Sequence, residues 1–119
     1  MKKLLLIGAI LVTGALSFAD SKADYEKAKT LAGQKKTAEA VKILETLSKT
    51  GDAEYKQRAN LELGSYYLQQ NQISKAKPYL VTAFDDGKVV NGYSAEAARL
   101  LYLVGIAEKD KNSAEKYIL

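Results

Sequence analysis

Small and bulky apolar residues recur at a fixed spacing along this chain. The two clearest copies of the pattern, 36 positions apart, are Ala28, Leu31, Ala40 and Leu44, then Gly64, Tyr67, Ala76 and Leu80. In each copy, 12 positions separate the two small residues. Two antiparallel helices joined by a short turn approach closely only where neither carries a bulky side chain. The bulky residues three or four positions later lie on the same helical faces. Each copy therefore predicts a pair of antiparallel helices that cross at the small residues.

A third copy follows, and it can be aligned in two ways. Residues Ala76, Tyr79 and Leu80 recur 38 positions later as Ala114, Tyr117 and Ile118. Alignment on Ala114 puts Tyr102 at the place of the first small residue. Alignment of Val104-Gly105 with Leu63-Gly64 puts Tyr117 where an alanine belongs. A shorter turn around residues 110–112 would account for either mismatch, and the sequence leaves the choice open.

Turn and cap residues set the predicted helix bounds. The predicted helices span residues 22–32, 37–49, 53–70, 74–84, 94–109 and 113–119. Thr37, Ser74 and Ser94 are the predicted N-caps, and Gly51 ends the second helix. Pro78 is expected in a first turn, where amide hydrogens have no intrahelical partner. The pattern predicts an all-α chain of about three stacked helix pairs, with units at about 21–51, 53–87 and 94–119.

The N-terminus has the composition of a secretory signal. Two lysines precede an almost wholly apolar run over residues 4–16, and Ser17-Phe18-Ala19 gives a small-x-small sequence. The alternative is an uncleaved anchor, but a membrane span takes about 20 apolar residues, more than this run provides. We predict a signal peptide of residues 1–19 that is cleaved before Asp20. The domain of residues 20–119 would then be exported, to a periplasm or out of the cell, without an integral membrane span.

Composition excludes several kinds of chemistry. The chain has no histidine, cysteine or tryptophan, so it has no disulfide, thiol nucleophile or imidazole metal site. The one adjacent acidic pair, Asp85-Asp86, precedes Gly87 and is typical of a turn. A hydrolase that uses carboxylates alone would need a deep acidic pocket, which a short helical array rarely encloses. We predict no catalytic residue, no metal and no cofactor.

Charge also argues against a nucleic-acid partner. Removal of the predicted signal takes Lys2 and Lys3 with it, so the formal charge falls from +4 to +2. Lysine and glutamate alternate along the rest of the chain, as on solvated helix faces. A near-neutral exported domain does not have the basic footprint of a nucleic-acid-binding protein.

Residues 60–67, which read Asn-Leu-Glu-Leu-Gly-Ser-Tyr-Tyr, resemble a tetratricopeptide repeat when taken with Ala76 and Leu80. This unit departs from the family pattern at Asn60, where a Trp or Leu is usual. Lys75-Ala76, followed by Ala83, Gly87 and Ala97-Ala98, also resembles the Sel1-like branch of such repeats. The resemblance implies an α-solenoid and says little about function.

In tetratricopeptide arrays the first helices of successive pairs line a concave groove, so the resemblance also implies partner-binding positions. By register these are Lys22, Tyr25, Lys29, Arg58, Leu61, Ser65 and Leu68, with Arg99, Tyr102 and Ile106 under the Val104-Gly105 alignment. The implied function is a protein- or peptide-binding adaptor or scaffold of the bacterial envelope. Cationic groups and tyrosines would suit a peptide that bears carboxylates. Ordinary solvated lysines and packing tyrosines are the alternative.

The last residues suggest a second function. The chain reaches Tyr117-Ile118-Leu119 without the polar cap that repeat arrays need over their last apolar face. A second copy or a partner could cover this helix, or the chain could belong to a longer array. The alternative function is therefore a structural or assembly factor that self-associates through its C-terminal helix, without a defined peptide groove.

Overall fold

All regular structure in the computed structural model is helical. It describes residues 20–85 and 91–117, and within these ranges it contains six helices and no strand. The helices are α1 (Ser21–Gly33), α2 (Thr37–Thr50), α3 (Ala53–Gln69), α4 (Ile73–Asp85), α5 (Gly92–Ala107) and α6 (Lys111–Lys116). The predicted all-α class is confirmed, and the predicted bounds of α1 to α5 agree with the structure within two residues. The predicted signal peptide, the Asp86-Gly87 turn and the final Ile118-Leu119 lie outside the described residues.

Three connections within the helix pairs share one backbone conformation. Each has three residues, and the middle one has a positive φ: 64° at Lys35, 59° at Asn71 and 58° at Lys109. In each connection, the amide of the third residue donates a 2.8 Å hydrogen bond to the carbonyl five residues earlier. These carbonyls belong to Leu31, Tyr67 and Gly105. These bonds satisfy carbonyls that the end of a helix leaves without a partner. The loops thus give a common register, with Lys35, Asn71 and Lys109 equivalent.

This register selects the alignment on Ala114 for the third pair. Counted from the positive-φ residue, Ala114 is equivalent to Ala40 and Ala76, and Tyr102 is equivalent to Ala28 and Gly64. The loop is not shortened, contrary to the expected shorter turn.

The first two pairs cross at the small residues, as the sequence predicts. Ala28, Ala40 and Ala76 are buried, and a β-carbon added to Gly64 would lie 2.6 Å from Leu80 Cγ. In the third pair the order of small and bulky residues is reversed. Tyr102 occupies the position of the small residue in the other pairs, and Gly105 occupies the position of the bulky residue. A β-carbon added to Gly105 would lie 2.7 Å from Ala114 Cα. The close approach of α5 and α6 is therefore one turn nearer the loop.

The N-cap predictions were wrong at all three positions. Thr37 is the first residue of α2, after Lys36, and α4 begins at Ile73, before Ser74. Asn91 caps α5, and it forms reciprocal bonds with Ser94 that make a capping box. Side-chain cap bonds also come from Asp20, Asp52 and Asp110. The periodic pattern locates the body of each helix, but which of several neighbouring polar residues caps it depends on the path of the incoming chain.

Pro78 also lies deeper in its helix than expected. It is the sixth residue of α4 and is exposed. Because proline has no amide hydrogen, the carbonyl of Ser74 has no helical donor there. Both groups lie on the outer side of the helix, so α4 continues to Asp85.

Each helix packs against the next along the chain, and the first helices of the pairs also pack together. In the described part, α1 contacts α3 and α3 contacts α5, whereas α2 and α4 make no comparable contact with each other. The largest fully buried side chains are those of Leu47, Leu63, Leu80 and Leu101. The apolar core thus runs through all three pairs, and α1, α3 and α5 form one side of the molecule.

Equivalent polar residues join successive pairs. Ser21 Oγ accepts a 3.0 Å hydrogen bond from the amide of Asp52, the N-cap of α3. Gln57 lies 36 positions after Ser21. It accepts a 3.1 Å hydrogen bond from Asn91, the N-cap of α5, and donates a 2.8 Å hydrogen bond to the carbonyl of Ala83. Ser21 and Gln57 are buried. We call these two sets of bonds, at Ser21 and at Gln57, the polar joints. Each joint connects the N-terminal part of the first helix of one pair to the N-terminus of the first helix of the next pair.

Candidate functional site

The outward positions of α1, α3 and α5 form a continuous surface, which we call the front face. Its members discussed below are Lys22, Tyr25, Lys29, Arg58, Leu61, Glu62, Ser65, Glu96, Arg99, Leu100, Leu103 and Ile106. Contacts between α1 and α3 and between α3 and α5 bring these side chains together.

Glu62 is held by two groups from α1. The Tyr25 hydroxyl donates to Glu62 Oε2 at 2.8 Å, and Lys29 Nζ donates to the same oxygen at 2.9 Å. Partial burial, and then the hydrogen bond and the charge of Glu62, raise the pKa of the Tyr25 phenol well above its usual value. The phenol therefore stays protonated and remains a hydrogen-bond donor to Glu62 across the physiological pH range.

Arg58 is enclosed by aromatic rings from three helices. Its guanidinium carbon lies 4.7 Å from the Tyr93 ring centroid, 5.0 Å from that of Tyr55 and 5.5 Å from that of Tyr25. Its Nη2 pairs with Glu54 at 3.2 Å, and 26% of the side chain is exposed. Its Nε is buried and has no hydrogen-bond partner among the described residues. Cation–π contacts of this kind stabilise packing, so the sequence-predicted groove cation here bridges α1, α3 and α5.

Arg99 is paired within α5. Its Nε donates to Glu96 Oε1 at 2.8 Å, and its Nη2 donates to Oε2 at 2.7 Å. This fork lowers the pKa of Glu96 below its ordinary value. The pair is exposed, so it adds little to stability. It nevertheless occupies two of the arginine's donors.

A depression of about 160 Å³ lies between α3 and α5 on the front face. It is lined by Leu61, Glu62, Ser65, Glu96 and Leu100. Apolar side chains, one hydroxyl and two carboxylates therefore meet in one place, and none of the described residues that line it is cationic.

The other predicted positions are spread over different environments. Lys22 is exposed, whereas Leu68 and Tyr102 are half-buried and pack on the core. Ile106 is 53% exposed and its neighbour Leu103 is 46% exposed.

Sequence reasoning missed four front-face residues, namely Glu62, Glu96, Leu100 and Leu103. The loop register makes Glu96, Leu100 and Leu103 equivalent to Arg58, Glu62 and Ser65. The alignment on Ala114 contained the signal for Glu96 and Leu103, because its 38-residue offset matches them to Arg58 and Ser65. Glu62 and Leu100 match each other and had no such signal.

No group of three or more metal-ligating side chains is found among residues 20–85 and 91–117. In the same ranges, no helix is both long and apolar enough to span a bilayer. The described side chains offer ion pairs, tyrosines and a shallow apolar floor, which are elements of non-covalent recognition.

No family model, no curated protein and no solved structure matches the chain.

Proposed function

We propose that this chain is a binding module for another protein or peptide, and that the front face is its binding surface. The observation that carries the proposal is the contact of α1 with α3 and of α3 with α5, which makes a single surface from three helices. Recognition surfaces combine apolar and aromatic contact with a polar rim. The front face has both, in the Leu61–Leu100 floor and the surrounding ion pairs.

The finer architecture belongs to the same proposal. The shared loop conformation and the repeated joints at Ser21 and Gln57 support a tetratricopeptide-like or Sel1-like solenoid of three pairs. Such arrays present extended binding surfaces on one side. Export to a bacterial envelope, by way of a cleaved signal of residues 1–19, remains part of the proposal. Mass spectrometry of the mature protein should give an N-terminus at Asp20.

A second candidate function is self-association as a structural or assembly factor. It is favoured by the two exposed large apolar side chains of α5, Leu103 and Ile106. Two such residues supply a small part of the roughly 800 Å² that each partner of a standard interface buries. A stable homodimer would therefore need further surface.

Photo-crosslinking in the native cell tests the proposal. A photo-reactive residue placed at Ser65, in the depression, should give a discrete adduct with another protein. The matched control is the same residue at Lys42, which is exposed on α2 outside the front face. Lys42 should give no such adduct.

The mass of the adduct separates the two candidate functions. An adduct of twice the chain mass at Ser65 would support self-association instead. Equal adducts from Ser65 and Lys42, or none from Ser65, would contradict the binding-surface assignment.

A further inference from the structure

We infer that the depression between α3 and α5 receives a lysine or arginine side chain of the partner, with an apolar partner residue on Leu103 beside it. The inference rests on the proposed function and specifies the chemistry of the segment that is bound. It reverses the sequence-based expectation of a ligand that bears carboxylates.

The lining of the depression favours a cation with an apolar stem. The described charged side chains that line it are Glu62 and Glu96, and Leu61 and Leu100 supply its apolar lining. Both oxygens of Glu96 already accept from Arg99, so Glu62 is the acceptor that is open to a ligand. Lysine and arginine have long hydrocarbon stems that pack on apolar surface while the charged head reaches a polar group. The Ser65 hydroxyl offers a further acceptor at the edge.

Glu62 is a preorganised acceptor with unused capacity. Both of its bonds, from Tyr25 and from Lys29, end on Oε2. Among the described residues no hydrogen bond reaches its Oε1, and 33% of the Glu62 side chain is exposed. A carboxylate fixed by a phenol and an ammonium needs little further ordering to accept a third donor, which lowers the entropic cost of binding.

The arginines expected to bind a carboxylate are already engaged. Arg58 faces the rings of Tyr25, Tyr55 and Tyr93 and pairs with Glu54. Arg99 forms a two-bond fork with Glu96. A ligand carboxylate would have to displace these contacts, and beside the Glu62 carboxylate it would meet a further acceptor and no cationic donor among the described lining residues.

The apolar side chain of the ligand has a defined place. Glu96, Leu100 and Leu103 follow the i, i+4, i+7 line along one side of α5, and Leu103 is the exposed end of that line. Seven residues of helix span about 10 Å. The bound segment should therefore present a basic side chain and an apolar side chain about that far apart, as positions i and i+7 of a helix do.

Peptide binding measured by fluorescence anisotropy tests this inference. Three labelled helical peptides of equal length serve as probes: one with Lys and Leu at i and i+7, one with Glu in place of Lys, and one with Ser in place of Leu. The Lys–Leu peptide should bind at least about tenfold more tightly than either other peptide, a difference that electrostatic and apolar complementarity readily supply.

Matched variants locate the effect. Glu62→Gln should weaken binding of the Lys–Leu peptide about tenfold, because it removes the charge of the acceptor whose Oε1 is left open. Leu103→Ser should remove the advantage of Lys–Leu over Lys–Ser. Glu39→Gln, an exposed glutamate in the first turn of α2, should leave binding unchanged. Unaltered circular dichroism in all variants shows that the fold is retained.

Failure of the inference can be told from failure of the proposed function. Tighter binding of the Glu–Leu peptide, or no loss in Glu62→Gln, would overturn the basic-ligand assignment. If no peptide binds while Ser65 still crosslinks in the cell, the ligand chemistry inferred here is wrong and the binding surface stands. Loss of both signals would overturn both.

Discussion

Gly105 decides where the third helix pair makes its closest approach. In the first two pairs the small residue is seven positions before the positive-φ loop residue, at Ala28 and Gly64. In the third pair Tyr102 occupies that place, half-buried against the core, and Gly105 supplies the space one turn later. Loss of a side chain at one position therefore compensates for gain of a ring at the other.

Overpacking in Gly105→Ala should cost about 1–3 kcal/mol, and the net destabilisation should be up to about 2 kcal/mol once helix propensity is counted. The added β-carbon would meet the backbone of Ala114 at 2.7 Å, and backbone cannot move aside as a flexible side chain can. The higher helix propensity of Ala over Gly offsets about 1 kcal/mol of this cost. Urea unfolding followed by circular dichroism measures the difference.

Gly92→Ala is the control for that experiment. Gly92 begins the same helix, and a β-carbon added there has no neighbour within 4 Å. We expect it to be neutral or slightly stabilising. A Gly105→Ala variant as stable as Gly92→Ala would show that α6 moves away from α5 without cost.

At the scale of elements, the three loops are interchangeable in conformation but not in sequence. The middle residue is Lys35, Asn71 or Lys109, each with φ near 60°. Asparagine tolerates the left-handed region better than lysine does, because its short polar side chain can bond locally. The first and third loops therefore retain strain that the second largely avoids.

Lys35→Gly should raise the free energy of unfolding by about 0.5–1 kcal/mol. Glycine relieves a left-handed cost of about 1–2 kcal/mol, and its greater freedom in the unfolded chain offsets about 0.4–1 kcal/mol of that gain. Thermal unfolding of the variant and the parent protein gives the comparison.

Gln34→Gly is the matched change one residue earlier. Gln34 has φ of −87°, so glycine relieves nothing there and adds only unfolded-state entropy. It should lower the melting temperature. Equal effects of the two substitutions would mean that the left-handed conformation of Lys35 contributes no strain.

Across the whole molecule, buried polar joints connect the pairs that the apolar core also holds together. Gln57 links α3 to the carbonyl at Ala83 in α4 and to Asn91 at the start of α5. The same position one pair earlier is Ser21, which bonds the start of α3. The joints set the orientation of each first helix relative to the next, and thereby the shape of the front face.

Gln57→Met should cost about 1–3 kcal/mol, because it leaves the buried carbonyl of Ala83 without its side-chain donor. Methionine keeps the volume and the apolar contacts, so the loss reports the hydrogen bonds. Gln69→Met, at an exposed position of the same helix, should change stability little. Urea midpoints that are equal for the two variants would contradict the role of the joint.

The sequence predicted the helices well and their N-caps poorly. Ala28, Ala40, Gly64 and Ala76 marked two crossings correctly, because close approach of helices depends on local side-chain size. The caps at Thr37, Ser74 and Ser94 were wrong. The third pair stayed ambiguous until the loop conformation at Lys109 set its register.

What the sequence determined by itself is the all-α class, the pairing of neighbouring helices and the places where the first two pairs touch. These follow from spacing along a helix, and spacing is a property of the chain alone. Only the tertiary structure decided which polar side chains bond to each other. The bonds of Glu62 to Lys29 and of Gln57 to Asn91 join residues 33 and 34 positions apart. Such contacts depend on how one helix is rotated and placed against another, which no local pattern specifies.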